Sequence, residues 1–556
     1  MHRPILWLVF GLLLMLVTPI TLQAEPADTA VDEALSGFDE PASPEPSGAG
    51  SAVDDALSGF DESVPTAASG GDSAVEEALS GFDEPDSSAV PSPDNGDAST
   101  EDALSGFEDA NENAAPSLEG GESESVVDEA LSGFEESADP SDNGTESATP
   151  SDVTFGGSLR LRAVTTLDHD PPASSGDADW RGLTRLQPEL FLEADWRLPR
   201  GWKLHGDAIA AHDFSYEIKG RERYEPGVLR QYESDFTLRE AWISGSPASW
   251  MDLKLGRQIV VWGQSDLLRV VDLLNPLDQR YPGLTDLEDL RRPLTMSRMD
   301  LYFHENWSLS LIGVHELSFH KSPVYGHDFY PFDLQLPTEI DPAQRLSNTE
   351  WGVALQGRFS GWDLALHAAD YYNDDPHTEL TAGGTRMYHA DLKMVGATVG
   401  AAWRDFLFKG EGAWIDGFRA YNLGTDDNYN RTDLLLGVEY SGFTDTTLSL
   451  EVVNRHINGF NSLLSLSPDL LEEDSLETAF SMVRNFNHET TTLTLVAGMY
   501  GGSAQGGAYE RIQLDYDIND SWTISGGLIF YQKGNLAAFQ KMEDRDRLFM
   551  TLEYAF

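Results

Sequence analysis

Cysteine is absent from this chain of 556 residues, which excludes disulfide bonds and thiolate metal sites. Beyond the first 24 residues the sequence has no apolar run of about 20 residues, the length that a membrane-spanning helix needs. The chain also lacks a His-Glu-x-x-His zinc motif, a Gly-x-Ser-x-Gly nucleophile motif and a phosphate-binding loop. We therefore expect a protein that is not an enzyme and that uses no cofactor.

Positive charge is missing from residues 25–150, which hold 34 Asp and Glu and no Lys or Arg. The net charge of the whole chain is −58, so we expect no binding to nucleic acid, which requires a basic surface. Low hydrophobicity and repulsion between like charges predict a disordered, extended acidic arm over residues 25–152. Residues 1–24 combine Arg3, an apolar stretch and Ala24, which predicts a secretory signal peptide and an exported protein.

The arm contains the sequence Ala-Leu-Ser-Gly-Phe five times, with steps of 22, 22, 25 and 27 residues between the Phe positions. In the first copy Val31, Ala34, Leu35 and Phe38 fall on one face of a short helix, which would be stable only against a partner's groove. The motif is unchanged while the spacers vary, which favours partner binding; a solubilising spacer is the alternative. The predicted partner-binding residues are Leu35, Phe38, Leu57, Phe60, Leu79, Phe82, Leu104, Phe107, Leu131 and Phe134.

From residue 153 onward the chain consists of segments of alternating polarity. Leu434, Leu436 and Val438 share one face of such a segment, opposite Asp433 and Glu439. This alternation predicts an all-β domain over residues 153–556, a transmembrane antiparallel outer-membrane β-barrel. A soluble β-sandwich also alternates, but its strands are shorter.

We count 18 strands, with 16 as the alternative. The predicted strands are 153–166, 184–196, 202–214, 235–245, 250–261, 294–304, 307–317, 349–358, 362–373, 386–403, 405–416, 430–441, 446–457, 476–486, 489–500, 508–517, 522–532 and 546–556. The connections alternate between long and short, as outer loops and periplasmic turns do, and an even count places both termini in the periplasm.

Features at the strand ends fit contact with outer-membrane lipid. Tryptophans such as Trp196, Trp250 and Trp522 lie where an interfacial girdle is expected. The final Leu552-x-Tyr554-x-Phe556 resembles the signal that outer-membrane barrels present to their assembly machinery, so we interpret these three residues as an assembly signal.

Residues 255–266 read LGRQIVVWGQSD, and residues 272–278 read DLLNPLD. These stretches resemble the signature of a group of uncharacterised proteobacterial outer-membrane barrels. The resemblance implies an association with exporters of the resistance-nodulation-division class and with LolA-like periplasmic lipid carriers. Traffic of a lipid or another hydrophobic molecule would follow from that association, although fold alone does not fix function.

The signature runs from a strand into the loop at 262–293. Ser265 or Asp266 can cap a helix that ends at Asn275-Pro276 and must bury its apolar face. Two placements stay open, a plug inside the barrel and a lid on its rim. The predicted pore or constriction residues are Gln258, Trp262, Asp266, Leu267, Leu268, Val271, Asp272 and Asn275.

Other polar groups do not indicate a metal site or a catalytic site. His315, His320 and His327 lie near Asp328 in the sequence, and we favour scattered surface histidines over a metal site. A second group, expected to line a polar lumen rather than to catalyse hydrolysis, comprises Glu189, Glu193, Asp195, Arg160 and Arg162.

Together these patterns predict an outer-membrane component of a trans-envelope transport system for a lipid or hydrophobic molecule. Its arm would lie in the periplasm and recruit an exporter or a lipid carrier. The alternatives are a solute-uptake porin and a barrel that docks a periplasmic protein without transporting anything.

Overall fold

The computed structural model describes residues 153–172, 174, 176–284, 290–424 and 427–556. The signal peptide and the repeat arm, with all the predicted partner-binding residues, therefore lie outside the described residues.

The described residues form one closed barrel of 18 antiparallel strands, as predicted, and the alternative of 16 strands is wrong. The barrel strands are β1 (Val153–Thr166), β2 (Leu183–Arg197), β3 (Lys203–His212), β4 (Ser234–Ala248), β5 (Met251–Gln258), β6 (Leu294–His304), β7 (Trp307–Val314), β9 (Glu350–Phe359), β10 (Trp362–Tyr372), β13 (Asp391–Trp403), β14 (Phe406–Phe418), β15 (Tyr429–Phe443), β16 (Thr446–Asn458), β17 (Asp474–Phe486), β18 (Thr491–Tyr500), β19 (Gly507–Asn519), β20 (Trp522–Gln532) and β21 (Arg547–Ala555). A small separate sheet in the loops contains β8 (Glu339–Ile340), β11 (His377–Thr381) and β12 (Gly384–Tyr388).

The first and last strands close the barrel. β1 pairs with β21 from Ser158 opposite Ala555 to Thr166 opposite Arg547. Phe556 continues this pairing, since its N–H donates to the Gly157 carbonyl at 2.9 Å. Because β1 and β21 pair with each other, neither terminal strand presents a free sheet edge to the membrane.

Three predicted strands differ in extent. The strands predicted to reach residues 261 and 317 end at Gln258 and Val314, because the chain leaves the wall there and continues in long loops. The strand predicted over 386–403 is two elements, since β12 belongs to the loop sheet and only β13 lies in the barrel.

Side-chain exposure alternates along the barrel strands. On β15, Leu434 and Leu436 are 60% and 76% exposed, while Asp433 and Leu435 at the alternate positions are buried. Apolar side chains thus cover the outer face, the arrangement of a barrel that contacts lipid. Exposed Trp196, Trp250, Trp362 and Trp522 lie near the strand ends, where an interfacial girdle belongs.

Tight turns close one end of the barrel and long loops cover the other. Ser360-Gly361 and Arg404-Asp405 are examples of the turns, whereas residues 259–293 and 315–349 are the longest connections. Both ends of the barrel chain, Val153 and Phe556, lie at the end with the turns. This is the rhythm that the sequence predicts.

Helices are short and confined to connections. They are α1 (Ser215–Lys219), α2 (Pro226–Val228), a π-helical turn (Leu229–Glu233), and 3-10 turns at Pro199–Gly201, Arg221–Arg223, Leu346–Asn348, Tyr421–Leu423, Ser462–Ser465 and Ala537–Phe539. Among the described residues, no helix is both long and apolar enough to cross a membrane.

Two of the three histidines near Asp328 are not surface residues, which corrects that expectation for His320 and His327. His315 is exposed, but the His320 side chain is only 2% exposed and His327 is buried. His327 stacks on Tyr232 with 3.8 Å between ring centroids. Burial lowers the pKa of His327 to about 3, so this ring is neutral at physiological pH.

Asp328 connects the loop that follows β7 to the last strand and to the loop after β1. Its carboxyl group accepts from Arg547, lies 3.0 Å from Arg545 Nε and lies 2.7 Å from His169 Nε2. Burial alone would raise the pKa of Asp328, but Arg547, His169 and Arg545 hold it well below its usual range. Burial alone would lower the pKa of His169, but Asp328 raises it above 6.5.

The signs of these shifts set a pH window. The Asp328 contribution is complete above its ordinary pKa of 3.8 and is lost as the pH falls through its lower folded value. The His169 contribution is complete below 6.5 and is lost as the pH rises through its raised folded value. The network therefore contributes its full stability between about pH 3.8 and pH 6.5, the ordinary pKa values of Asp328 and His169.

We expect Asp328→Asn to lower the free energy of unfolding by about 3–5 kcal/mol at pH 5.5, because it leaves buried guanidinium groups without their carboxylate. The loss should be smaller at pH 8. Urea unfolding followed by tryptophan fluorescence measures both values. Asp333→Asn is the matched control, since Asp333 is 91% exposed in its pair with Lys541 and should change stability by less than about 1 kcal/mol. Equal losses in the two variants would contradict the assigned role of Asp328.

Candidate functional site

The chain enters the barrel directly after β5. We call residues 259–275 the inward segment. Its side chains pack on inward-facing residues of the wall in one apolar cluster, which includes Leu267, Val271, Met394 and Leu435. The structure therefore places this part of the loop inside the lumen rather than on the rim.

Two glutamates of the wall hold the backbone of the inward segment. Glu411 on β14 accepts from the N–H groups of Gln264, Ser265 and Val271 at 2.5, 2.9 and 3.4 Å. Hydrogen bonds from several backbone donors to one carboxyl group fix both position and direction of the chain.

Glu451 on β16 accepts the next donors along the chain. The N–H groups of Asp266, Leu267 and Leu268 donate to its carboxyl oxygens at 3.0 Å each. The Ser265 hydroxyl donates to the same group at 2.5 Å. Both glutamates are buried, so their hydrogen bonds are shielded from water.

The predicted helix over Leu267–Leu274 does not form, since residues 259–284 contain no helical turn. Ser265 does accept the N–H of Leu268 at 3.0 Å, as an N-cap would. The donors that a first helical turn leaves free bond to Glu411 and Glu451 instead, and the chain continues in bends. The prediction of a helix is therefore wrong, although its apolar residues are buried as expected.

Side chains at the two ends of the inward segment bond it to itself. Asp272 accepts the N–H of Trp262 at 3.0 Å, and Asn275 accepts the N–H of Val260 at 2.9 Å. Arg269 donates to the carbonyls of Asp272 and Asn275 at 2.7 and 2.8 Å. These contacts fold the segment back on itself without a strand ladder or a helix.

Charged groups of the wall add further contacts. Lys409, two residues before Glu411 on the same face of β14, forms an ion pair with Asp266. Arg455 on β16 donates to the Arg269 carbonyl at 3.0 Å and is itself paired with Asp433 and Glu477. Buried charges on the wall are thus paired with each other or with the segment.

Glycine allows the close approach at two positions. Gly263 has a φ of +99°, and a Cβ atom there would lie 2.5 Å from Glu411 Oε1. A Cβ atom on Gly352 of β9 would lie 2.7 Å from the Trp262 ring. Larger side chains at either position would displace the segment from the wall.

Every predicted constriction residue contributes to this arrangement or borders it. Gln258, at the end of β5, is fully buried, and its amide donates to the Met296 carbonyl at 3.2 Å. The three residues predicted as an assembly signal lie instead on and after β21, remote from the segment in the barrel topology.

The wall side of the site escaped the sequence analysis. Glu411, Glu451, Lys409 and Arg455 were not singled out in the sequence, and Asp433 was recognised only as a residue of the polar face of its strand. A usable signal was present, because Met394, Ala413, Leu435 and Val453 are inward positions that carry apolar side chains where a water-filled lumen would carry polar ones.

A separate polar network lines the lumen at β1 and β2. Arg162 Nη2 lies 3.2 Å from Glu189 Oε1, and Arg160 Nε lies 3.0 Å from Glu553 Oε1. Two groups of described residues could hold a metal ion: His205 with Asp207 and Glu240, and Glu339 with Asp341 and His389. Neither group includes a residue of the inward segment.

We expect Glu451→Gln to release the inward segment, because an amide offers one acceptor oxygen and turns its own N–H₂ toward backbone donors. Hydrogen bonds to a charged group contribute about 1.5–3 kcal/mol each, so amide hydrogen exchange of residues 264–271 should accelerate by roughly 30-fold or more. Glu553→Gln, a lumen-side carboxyl paired with Arg160, is the matched control. Unchanged protection of residues 264–271 in Glu451→Gln would show that Glu451 does not hold the segment.

Residues 180–556 match the model of a family described as "Protein of unknown function (DUF1302)". No curated protein matches the sequence.

Similar solved structures are outer-membrane proteins. OccK1 (OpdK) of Pseudomonas aeruginosa shares 10% identity over 73% of this chain and 98% of its own, with a TM-score of 0.45. OccK2 (OpdF) of the same organism, solved in complex with glucuronate, has the same identity and coverage and a TM-score of 0.44. A loop-deletion mutant of Vibrio cholerae OmpT shares 10% identity over 73% of this chain and 100% of its own, with a TM-score of 0.35.

Proposed function

The chain belongs to the DUF1302 family, and we propose that it is an outer-membrane transport barrel for a lipid or hydrophobic molecule, closed at rest by its inward segment. One observation carries the proposal. The inward wall beneath the segment is apolar at Met394, Ile415, Leu435 and Val453. A lumen that conducts only water-soluble molecules has no need of such a surface.

Closure rests on contacts that can be broken without unfolding the barrel. The segment is attached to the wall through hydrogen bonds to Glu411 and Glu451 and the ion pair of Lys409 with Asp266. If the segment moves away, the apolar wall faces the lumen and offers a path for a hydrophobic cargo. The barrel acts in this proposal without catalysis and without a cofactor.

A solute-uptake porin is the second candidate, and the polar network at β1 and β2 favours it. Arg162 and Glu189 lie 3.2 Å apart on the side of the lumen opposite the apolar wall, as charged groups of an aqueous channel do. A third possibility, a barrel that only docks a periplasmic protein, would leave the segment permanently closed.

We expect replacement of residues 264–275 by a short Gly/Ser linker to raise single-channel conductance several-fold in planar bilayers, because the linker cannot fill the lumen. The matched control is a Gly/Ser replacement of residues 380–385, the tip between β11 and β12 in the loop sheet. Heat-modifiable gel mobility verifies that both barrels are folded. Equal conductance of the two variants and of the unchanged protein would contradict the proposal that the segment closes the lumen.

Conductance alone does not identify the cargo. Purified barrels in liposomes should pass a fluorescent long-chain lipid faster after the 264–275 replacement than before it. Faster passage of a sugar, with no change for the lipid, would favour the porin.

The repeat arm is the part of the proposal that concerns partners. We infer that its five Ala-Leu-Ser-Gly-Phe copies recruit a periplasmic component of the same transport system, an exporter or a lipid carrier. A single copy buries two large side chains, worth about 1.5–3 kcal/mol each before ordering costs. Several tethered copies raise the effective concentration and make a weak contact useful.

We expect binding of the isolated arm to a periplasmic lipid carrier or exporter domain to fall stepwise as Phe38, Phe60, Phe82, Phe107 and Phe134 are changed to Ala. Surface plasmon resonance at two salt concentrations measures the decline, and the acidic flanks predict weaker binding at high salt. Changing an equal number of spacer serines is the control. Equal binding of the five-Ala arm, or full transport after deletion of residues 25–150, would show that the repeats are a spacer.

A further inference from the structure

The hydrogen-bond ladder of the barrel is interrupted beside β4. On one side β4 pairs with β3 as far as Ser234 opposite His212. On its other side it pairs with β5 only between Ala241 and Ala248. On that side, no strand among the described residues forms a backbone ladder with Ser234–Glu240.

The strands beyond the interruption do not close it. β5 ends at Gln258, which pairs with Leu294, the first residue of β6. β7 ends at Val314, opposite Glu350. The part of β4 without a ladder partner is therefore about 20–24 Å of strand, taking roughly 3.4 Å per residue.

A cavity of about 580 Å³ lies at this gap, and its lining comes from both faces of the wall. Thr237 and Arg239 point inward from β4, while Phe236 and Leu238 point outward and are 82% and 51% exposed. All four residues line the cavity. The cavity therefore reaches the edge of β4 that has no partner strand, between the inward and outward faces of the wall.

The cavity is basic although the chain as a whole is acidic. Its lining contains eight Arg and Lys side chains and four Asp and Glu side chains, in a protein of net charge −58. A basic surface with an apolar border in a membrane wall suits a molecule with an anionic head and an apolar tail.

Arg257 lies in the gap itself. Its Nε donates to the Leu238 carbonyl at 2.9 Å, on the edge of β4 that lacks a partner strand. Its Nη1 lies 2.5 Å from Glu316 Oε1. Lys321 and Arg280, which also line the cavity, lie 3.7 and 2.8 Å from Asp235. Arg257 and Lys321 thus both line the cavity at the gap, and both side chains are partly exposed.

We propose that the gap between β4 and β5–β6 is a lateral portal that binds an anionic amphiphile. The carboxylate or phosphate head lies at Arg257 and Lys321, and the tail passes over Phe236 and Leu238 into the outer leaflet. Binding at the portal stands on its own geometry. Only its use as the route of the cargo rests on the proposed function.

The absence of cysteine gives a direct test in the whole protein. Phe236→Cys, labelled with an environment-sensitive fluorophore in nanodiscs of neutral lipid, should give a saturable signal with hexadecanoate and with hexadecyl phosphate. Hexadecanol, which lacks the charge, and acetate, which lacks the tail, should give none. The same label at Leu436→Cys, which is 76% exposed on β15, is the control for partition into the bilayer.

The basic residues are tested by substitution. Arg257→Gln and Lys321→Gln should each weaken hexadecanoate binding at least tenfold, while Arg484→Gln on β17, outside the cavity lining, should leave it unchanged. Using two variants guards against a local folding defect in one of them, and heat-modifiable mobility checks each barrel.

Three outcomes would overturn the portal: no saturable signal at residue 236, the same signal at residue 436, or unchanged affinity in both Gln variants. Failure of the transport proposal is distinguishable. Binding at residue 236 without lipid passage through the barrel would leave the portal and remove the transport function. Lipid passage without binding would do the reverse.

Discussion

The backbone of the inward segment has its hydrogen-bond donors satisfied by two carboxyl groups of the barrel wall, and the architecture of the lumen depends on this contact. Residues 264–268 form neither a helix nor a strand, so their buried N–H groups need partners from elsewhere. Glu411 and Glu451 supply them from inward positions of β14 and β16, the two strands that flank β15. The apolar side chains of the segment are then held against an apolar part of the wall, and the pairing of Lys409, Arg455 and Asp433 follows around them.

This constraint explains which features could be predicted from the sequence. Strand number, closure and the lipid face follow from local alternation, which needs no knowledge of distant contacts: Leu434 and Leu436 on one face of β15 are sufficient. The burial of Leu267, Leu268 and Val271 was also predictable, because an apolar run in a loop must be covered. The backbone conformation of that run was not. The helix prediction offered Ser265 or Asp266 as the cap, and Ser265 does accept the N–H of Leu268, but the competing acceptors lie 140 or more residues away in the chain.

The same reasoning explains the other differences between prediction and structure. β5 was predicted to continue to residue 261 because Ile259, Val260 and Val261 favour strands. Those residues leave the wall, since Asn275 and Asp272 accept the N–H groups of Val260 and Trp262 that a neighbouring strand would otherwise bind. Side-chain acceptors within the segment thus replace a ladder, and the gap beside β4 is the result. The two features most relevant to function, the inward segment and the open edge, have one origin in the early end of β5.

The short strands β5 and β7 also affect the surrounding membrane. β5 and β7 contain eight residues each, whereas a tilted strand needs about 9–11 residues to cross the hydrocarbon core of a bilayer. β6 between them contains 11 residues, and β15 contains 15. The height of the strand ladder is therefore uneven around the barrel, and lipids beside the two short strands meet a lower wall than lipids beside β15. A bilayer adapts to a short hydrophobic wall by thinning, so exchange of a lipid between bilayer and protein would be easier beside β5 and β7 than beside β15.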